Sequence, residues 1–111
     1  MRILALALSL LTALSGPANA TQGAPKTSQS CEILDGIAEA AMLSRQAGMP
    51  MIDMYRNADK AGPDVARVAR MVIDEAYKMP ILPSETEKNA AVTEFRNNFF
   101  RGCLSAERKA H

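Results

Sequence analysis

The sequence predicts a small all-α domain of four helices, in which the first and fourth helices run antiparallel and are joined by one disulfide. Three observations favour this fold class. Apolar residues recur at helical spacing along most of the chain, and no segment alternates with period two for long enough to form a strand. The two cysteines, Cys31 and Cys103, lie near the two ends of the helical region.

The first twenty residues have the pattern of a secretory signal peptide. Arg2 supplies a short basic start, and the apolar run over residues 3–14 is well short of the ~20 residues that a membrane span requires. A glycine–proline pair then precedes the small residues that end at Ala20, where a signal peptidase is expected to cut. We therefore expect residues 1–20 to be removed on export to the periplasm or the medium, with no membrane span in the mature chain.

The mature chain divides into three segments. Residues 21–29 are polar and small, which predicts a disordered lead-in; residues 30–106 form a single helical domain; residues 107–111 form a frayed C-terminus. The full chain has 13 basic and 12 acidic residues, and loss of Arg2 leaves 12 of each. Because a neutral domain has no excess of basic charge with which to bind phosphate or anionic lipid, we expect no nucleic-acid partner.

Capping and turn residues set the expected boundaries of the first two helices. Ser30 is a suitable N-cap for a first helix from Cys31 to Ala47, which Gly48 ends. Pro50 is expected at the first position of a second helix that ends near Gly62.

The third and fourth helices carry clearer patterns. Pro63 opens the third helix, and Ser84 with Glu87 forms a capping box for a fourth helix that ends near Ala106. Each helix carries an apolar stripe at 3.6-residue spacing. The stripes are Val65, Val68, Ala69, Val72, Ile73 and Ala76 on the third helix, and Val92, Phe95, Phe99 and Cys103 on the fourth.

The two cysteines are expected to form a disulfide, because an even number of cysteines in a small exported domain usually indicates one. The alternatives are a free thiol pair, or a redox or zinc site of the Cys-x-x-Cys kind, which the spacing of Cys31 and Cys103 does not fit. A disulfide would stabilise the fold by ~4 kcal/mol on the chain-entropy estimate. It would also set a register in which the numbers of facing residues on the first and fourth helices sum to about 134.

This register assigns partners to two arginines that lie on or beside the apolar stripes. It brings Arg45 within reach of Glu85, with the helix-end carbonyls around Ala47 as the other candidate acceptors, and it places Arg96 near Asp35 and Glu39. A charge at the edge of a core must be paired or must extend its head into water. Each arginine is therefore expected to make a structural ion pair, and the alternative is that it binds a carboxylate of a partner.

Three methionines, Met49, Met51 and Met54, form an M-x-M-x-x-M pattern. Exported copper proteins use thioether clusters because soft sulfur prefers Cu(I). On a helix, Met51 and Met54 also share a face with Tyr55 and Ala58, and methionine fills irregular gaps in small cores. We expect the core role, with a periplasmic Cu(I)-binding protein as the alternative.

The sequence contains no recognisable catalytic pattern. The one histidine, His111, is the last residue, so no serine or cysteine has an obvious base, and no phosphate loop or metal-ligand spacing is present. We expect a non-enzymatic protein without a cofactor that binds a periplasmic protein or a second copy of itself, as an inhibitor, immunity-type factor or chaperone. The apolar residues Ile81, Leu82 and Phe100 lie off the main stripes and are the expected partner surface.

Five short motifs follow one another along the chain: Cys31, Arg45-Gln46-x-Gly48, Ala76-Tyr77 with Pro80, Phe95-Arg96-Asn97, and Cys103. Their order resembles that of a group of small, uncharacterised exported bacterial proteins, many of them encoded in prophages or on mobile elements. The resemblance covers residues 30–104 and implies a Gram-negative periplasm, but no particular activity. Members of the group often have an acid before the proline, where Lys78 stands here.

Overall fold

The computed structural model describes residues 26–110, and their side chains from residue 29 onward. The expected signal peptide and His111 lie outside the described residues. Within them the chain forms four α-helices and no strand, which confirms the predicted all-α fold. The helices are α1 (Lys26–Gln46), α2 (Met51–Asp59), α3 (Pro63–Ala76) and α4 (Glu85–Ala110).

The two longest helices extend beyond their expected ends. Helix α1 begins at Lys26, so residues 26–29 of the expected disordered lead-in are helical, and Ser30 lies inside the helix and does not cap it. Helix α4 continues past Ala106 to Ala110, through most of the segment expected to fray. Neither extension contains a glycine or proline that would stop a helix.

Gly48 ends the hydrogen-bonded pattern of α1, as the sequence predicts. Its N–H donates to the carbonyl of Arg45 (3.0 Å), and the N–H of Met49 donates to the carbonyl of Ser44 (3.0 Å). These two bonds form a Schellman motif, in which Gly48 has φ = +82°. The chain then enters α2, for which Pro50 is the N-cap and not the first helical residue.

Helix α3 begins at Pro63, as predicted, but its buried face differs from the predicted stripe. Val65 and Val68 were expected in the core and are 39% and 36% exposed. Three of the five buried residues of α3 are alanines. The two valines lie at the edge of the contact between α3 and α1. The buried residues of α3 are Ala66, Ala69, Val72, Ile73 and Ala76.

Helix α4 begins with the predicted cap, since Oγ of Ser84 accepts a hydrogen bond from the N–H of Glu87 (3.1 Å) and donates one to its carboxylate (2.9 Å). Farther along, Val92 is buried, whereas Phe95 and Phe99 are half-buried and meet edge to face with ring centroids 5.0 Å apart.

Helix α1 is central to the fold, because it packs against α4, α3 and α2, while α2 also packs against α3. Helices α1 and α4 are antiparallel and joined by the disulfide between Cys31 and Cys103, whose Cα atoms are 5.6 Å apart. Both features confirm the prediction. The buried core consists of Ala38, Ala41, Met42, Met54, Ala58, Ala69, Val72, Ile73, Ala76, Ala91 and Val92.

Candidate functional site

Arg45 binds the segment between α3 and α4, not the expected Glu85. Its Nε donates to the carbonyl of Met79 (2.7 Å), and its guanidinium lies 5.2 Å from the centroid of the Tyr77 ring. Pro80 and Pro83 prevent this segment from being helical. Its carbonyls therefore need hydrogen-bond donors other than the N–H groups of a helix. The predicted register relates α1 to α4 and does not include the carbonyls of the preceding loop, so it could not indicate Met79 as the partner of Arg45.

Gln46, which the sequence analysis names only as part of the Arg45-Gln46-x-Gly48 motif, is the one buried polar side chain of the described core. It is 4% exposed. Its Oε1 accepts a hydrogen bond from the N–H of Leu82 (2.8 Å), and its Nε2 donates to the carbonyl of Pro80 (3.0 Å). We refer to Arg45, Gln46 and the segment 79–82 that they bind as the loop clamp.

Two further contacts hold the end of α1 beside the loop clamp. The hydroxyl of Tyr77 donates to the carbonyl of Met49 (2.6 Å), and Nζ of Lys88 donates to the carbonyl of Gln46 (3.2 Å). Burial raises the pKa of Tyr77 above its ordinary value, and the nearby Arg45 guanidinium opposes that rise. The motif residues Arg45, Gln46 and Tyr77 therefore make contacts that hold the fold together.

Arg96 pairs with the two acidic residues that the register predicts. Its Nε and Nη2 donate to the two oxygens of Asp35 (3.0 and 2.7 Å), and its Nη1 donates to Glu39 (3.0 Å). The hydrogen bond from Arg96 lowers the pKa of Asp35 below its ordinary value, and that same bond raises the pKa of Arg96. This bidentate pair joins α4 to α1. All three guanidinium nitrogens of Arg96 already donate within the chain, so none is left without a partner to bind a carboxylate of another protein.

The expected partner surface is not one patch. Ile81 is 47% exposed, but Leu82 packs against the core beside Met79 and Phe95. Phe100 is about 22 Å farther along α4 than its first residue, at 1.5 Å per residue. It lines a different depression, together with Asp35 and Arg96.

The three methionines of the M-x-M-x-x-M pattern differ in their surroundings. Met54 is buried in the core, Met51 packs against that core, and Met49 is partly exposed. Thioethers that fill a core are held by packing, and this arrangement agrees with the core role expected for Met51 and Met54.

An apolar groove lies between α1 and α3 on the described surface. Ile33 on α1 is 61% exposed, and Val65 and Val68 face it from α3. The sequence pattern did not reveal this groove, because helical periodicity assigns Val65 and Val68 to a stripe but does not show what covers that stripe. The groove is lined by Ser30, Ile33, Leu34, Ile37, Asp64, Val65 and Val68; we call it the α1–α3 groove.

Among the described side chains, one group of three has donor atoms close enough to share a metal ion. It consists of Cys31, Cys103 and Glu107, and the two cysteines are joined in the disulfide. No helix within residues 26–110 combines the length and apolar character that crossing a bilayer requires. Compared with protein-family models, curated protein sequences and solved structures, the chain matches none.

Proposed function

We propose that this chain is a small exported protein of the bacterial periplasm that acts by binding another protein, as an inhibitor, immunity-type factor or chaperone-like module, and not by catalysis. The signal-peptide pattern supports export. The exposure of the α1–α3 groove is the observation that carries the proposal of protein binding.

The fold leaves several apolar side chains of α1 and α3 in water. Covering apolar surface is favourable by roughly 25 cal/mol per Å². Ile33, Val65 and Val68 all present such surface on two adjacent helices, α1 and α3. A depression of this kind accepts the apolar face of a partner's amphipathic helix, with side chains three and four residues apart as anchors.

The test is site-specific photo-crosslinking in cells that naturally produce the protein. A photoreactive amino acid at Val68 is expected to give one discrete adduct with a partner protein. Ile33→Asp in the same chain is expected to abolish that adduct, because it places a carboxylate in the groove.

Met71→Asp is the matched control. Met71 is 57% exposed on α3, but it lines a separate depression beside Asp59 and Arg70. The control is expected to keep the adduct, and both variants are expected to keep the wild-type unfolding midpoint. The proposal fails if no adduct forms at position 68, or if Met71→Asp abolishes it as completely as Ile33→Asp does.

A further inference from the structure

The disulfide lies beside a carboxylate whose surroundings are unusual. Glu107 is four residues after Cys103, so both side chains lie on the same face of α4. The two sulfurs and a carboxylate oxygen of Glu107 all lie within 4.8 Å of one another. One oxygen of Glu107 is buried and has no hydrogen-bond partner among the described residues.

A buried carboxylate oxygen without a protein donor is costly, and it calls for an explanation such as ordered water, strain, or a role in redox or ion chemistry. The neighbouring groups show what kind of ion fits. Two sulfurs and one carboxylate are the ligands of a thiophilic divalent cation, and Zn²⁺ takes sulfur and oxygen ligands in tetrahedral sites.

We propose that reduction of the disulfide turns this cluster into a Zn²⁺ site, with Cys31, Cys103 and Glu107 as the protein ligands and solvent in the fourth position. In the oxidised chain the sulfurs are bonded to each other and no thiolate is present, so the oxidised form does not bind the ion. The site is therefore redox-gated, and it is independent of the α1–α3 groove.

A dithiol can supply the electrons and protons that reduce the disulfide. The reductant's two thiols pass two electrons and two protons to the disulfide, whose S–S bond breaks to give two cysteine thiols, while the reductant becomes a disulfide. Zn²⁺ then displaces both thiol protons, which go to solvent, and forms two Zn–S bonds. With the Glu107 carboxylate, the occupied site carries one net negative charge.

The geometry requires small movements. Ligands in a tetrahedral zinc site with Zn–S of about 2.3 Å and Zn–O of about 2.0–2.2 Å are roughly 3.5–3.8 Å apart. The carboxylate oxygen is within 4.8 Å of both sulfurs, so after reduction the sulfurs must separate from each other and the carboxylate must approach them by up to about 1 Å. Cys31 and Cys103 lie on different helices, and the bound ion would therefore join α1 to α4 where the disulfide did.

The test uses the full mature chain, reduced with a phosphine and kept free of oxygen, with Co²⁺ as a spectroscopic probe. The reduced protein is expected to develop an intense thiolate-to-cobalt absorption band that saturates at one Co²⁺ per chain and disappears when Zn²⁺ is added. The oxidised protein is expected to show no such band.

Glu107→Gln tests the third ligand, and Glu94→Gln is the matched control, since Glu94 is an exposed glutamate elsewhere on α4. The first substitution is expected to weaken Co²⁺ binding by about tenfold or more, and the second to leave it unchanged. Circular dichroism shows whether the reduced chain remains helical. If it unfolds, two free thiolates would bind Co²⁺ equally well in both variants. Absence of the band in reduced protein, or equal affinities of wild type and Glu107→Gln, would overturn the proposal.

Discussion

The side-chain amide of Gln46 forms hydrogen bonds with two backbone groups of the loop that it faces. It accepts from the N–H of Leu82 and donates to the carbonyl of Pro80, and its side chain is almost completely buried. A substitution that removes the amide leaves those two backbone groups without partners. Each of these part-buried groups, once unpaired, costs up to about 1–3 kcal/mol.

We therefore expect Gln46→Met, which keeps the side-chain volume but removes both hydrogen bonds, to lower the free energy of unfolding by about 2–3 kcal/mol. Urea denaturation of the oxidised protein measures this change. Gln29→Met in the same helix is the control, because Gln29 is exposed, and it is expected to stay within about 0.5 kcal/mol of wild type. Equal effects of the two substitutions would show that the loop clamp contributes little.

The ion pair of Arg96 with Asp35 makes a prediction about acid stability. Because Arg96 lowers the pKa of Asp35 in the folded chain, the carboxylate favours folding above its unfolded pKa, near 3.8. That contribution is lost as the pH falls from about 4 through the lower pKa of the folded state. Asp35→Asn should therefore flatten the decrease in stability below pH 4, whereas Asp64→Asn, at an exposed pair, should not.

Denaturation midpoints measured from pH 7 down to pH 2.5 test this expectation. Parallel pH profiles for wild type and Asp35→Asn would show that the pair adds nothing to acid stability, as is common for ion pairs with solvent access.

At the scale of the helices, the sequence predicts those boundaries that have a chemical cause. Gly48, Pro63 and Ser84 each perform the expected local task, because a positive φ, a missing N–H and a side-chain cap are properties of single residues. The start of α1 at Lys26 and the end of α4 at Ala110 have no such marker in the sequence.

The difference between features that single residues determine and features that packing determines also explains which parts of the candidate sites the sequence predicts. The partners of Arg96 follow from a covalent link that fixes two helices in register, whereas the partner of Arg45 depends on the path of a loop, which no periodicity encodes. The α1–α3 groove depends on which helix covers which stripe. Val65 and Val68 fit a core stripe by spacing and become exposed because of the positions of neighbouring helices.

Gly48 and Gly36 give a paired prediction for α1. Gly48 has φ = +82°, so Gly48→Ala forces a side chain into the left-handed region and should destabilise the fold by about 1 kcal/mol. Gly36 lies inside the helix, where a new Cβ would meet no atom within 4 Å. Gly36→Ala should therefore stabilise the fold by about 0.5–1 kcal/mol. Opposite shifts of the thermal midpoint are expected, and a shift in the same direction would contradict the assignment of Gly48 as the helix terminus.

Across the whole molecule, two different devices hold α4 to α1 at opposite ends. The disulfide joins Cys31 to Cys103 at one end, and at the other the loop clamp and Lys88 attach the start of α4 to the end of α1. Arg96 and Asp35 lie between the disulfide and the clamp. The buried residues between the two devices are mostly alanines, with few large side chains, so each device is expected to control its own end.

This arrangement predicts a local response to reduction in metal-free protein. Removing the disulfide releases a constraint across a sequence separation of 72 residues and is expected to lower the free energy of unfolding by about 2–4 kcal/mol. Hydrogen exchange should then increase first in residues 29–36 and 99–110, while residues 42–47 and 80–82 stay protected by the loop clamp. Gln46→Met with the disulfide intact should reverse the pattern, because the disulfide still holds the far end. Exchange measured by mass spectrometry on peptides from both ends separates these outcomes. A uniform increase along α1 and α4 in either experiment would mean that the two helices separate as one cooperative unit, and that the two devices do not act independently.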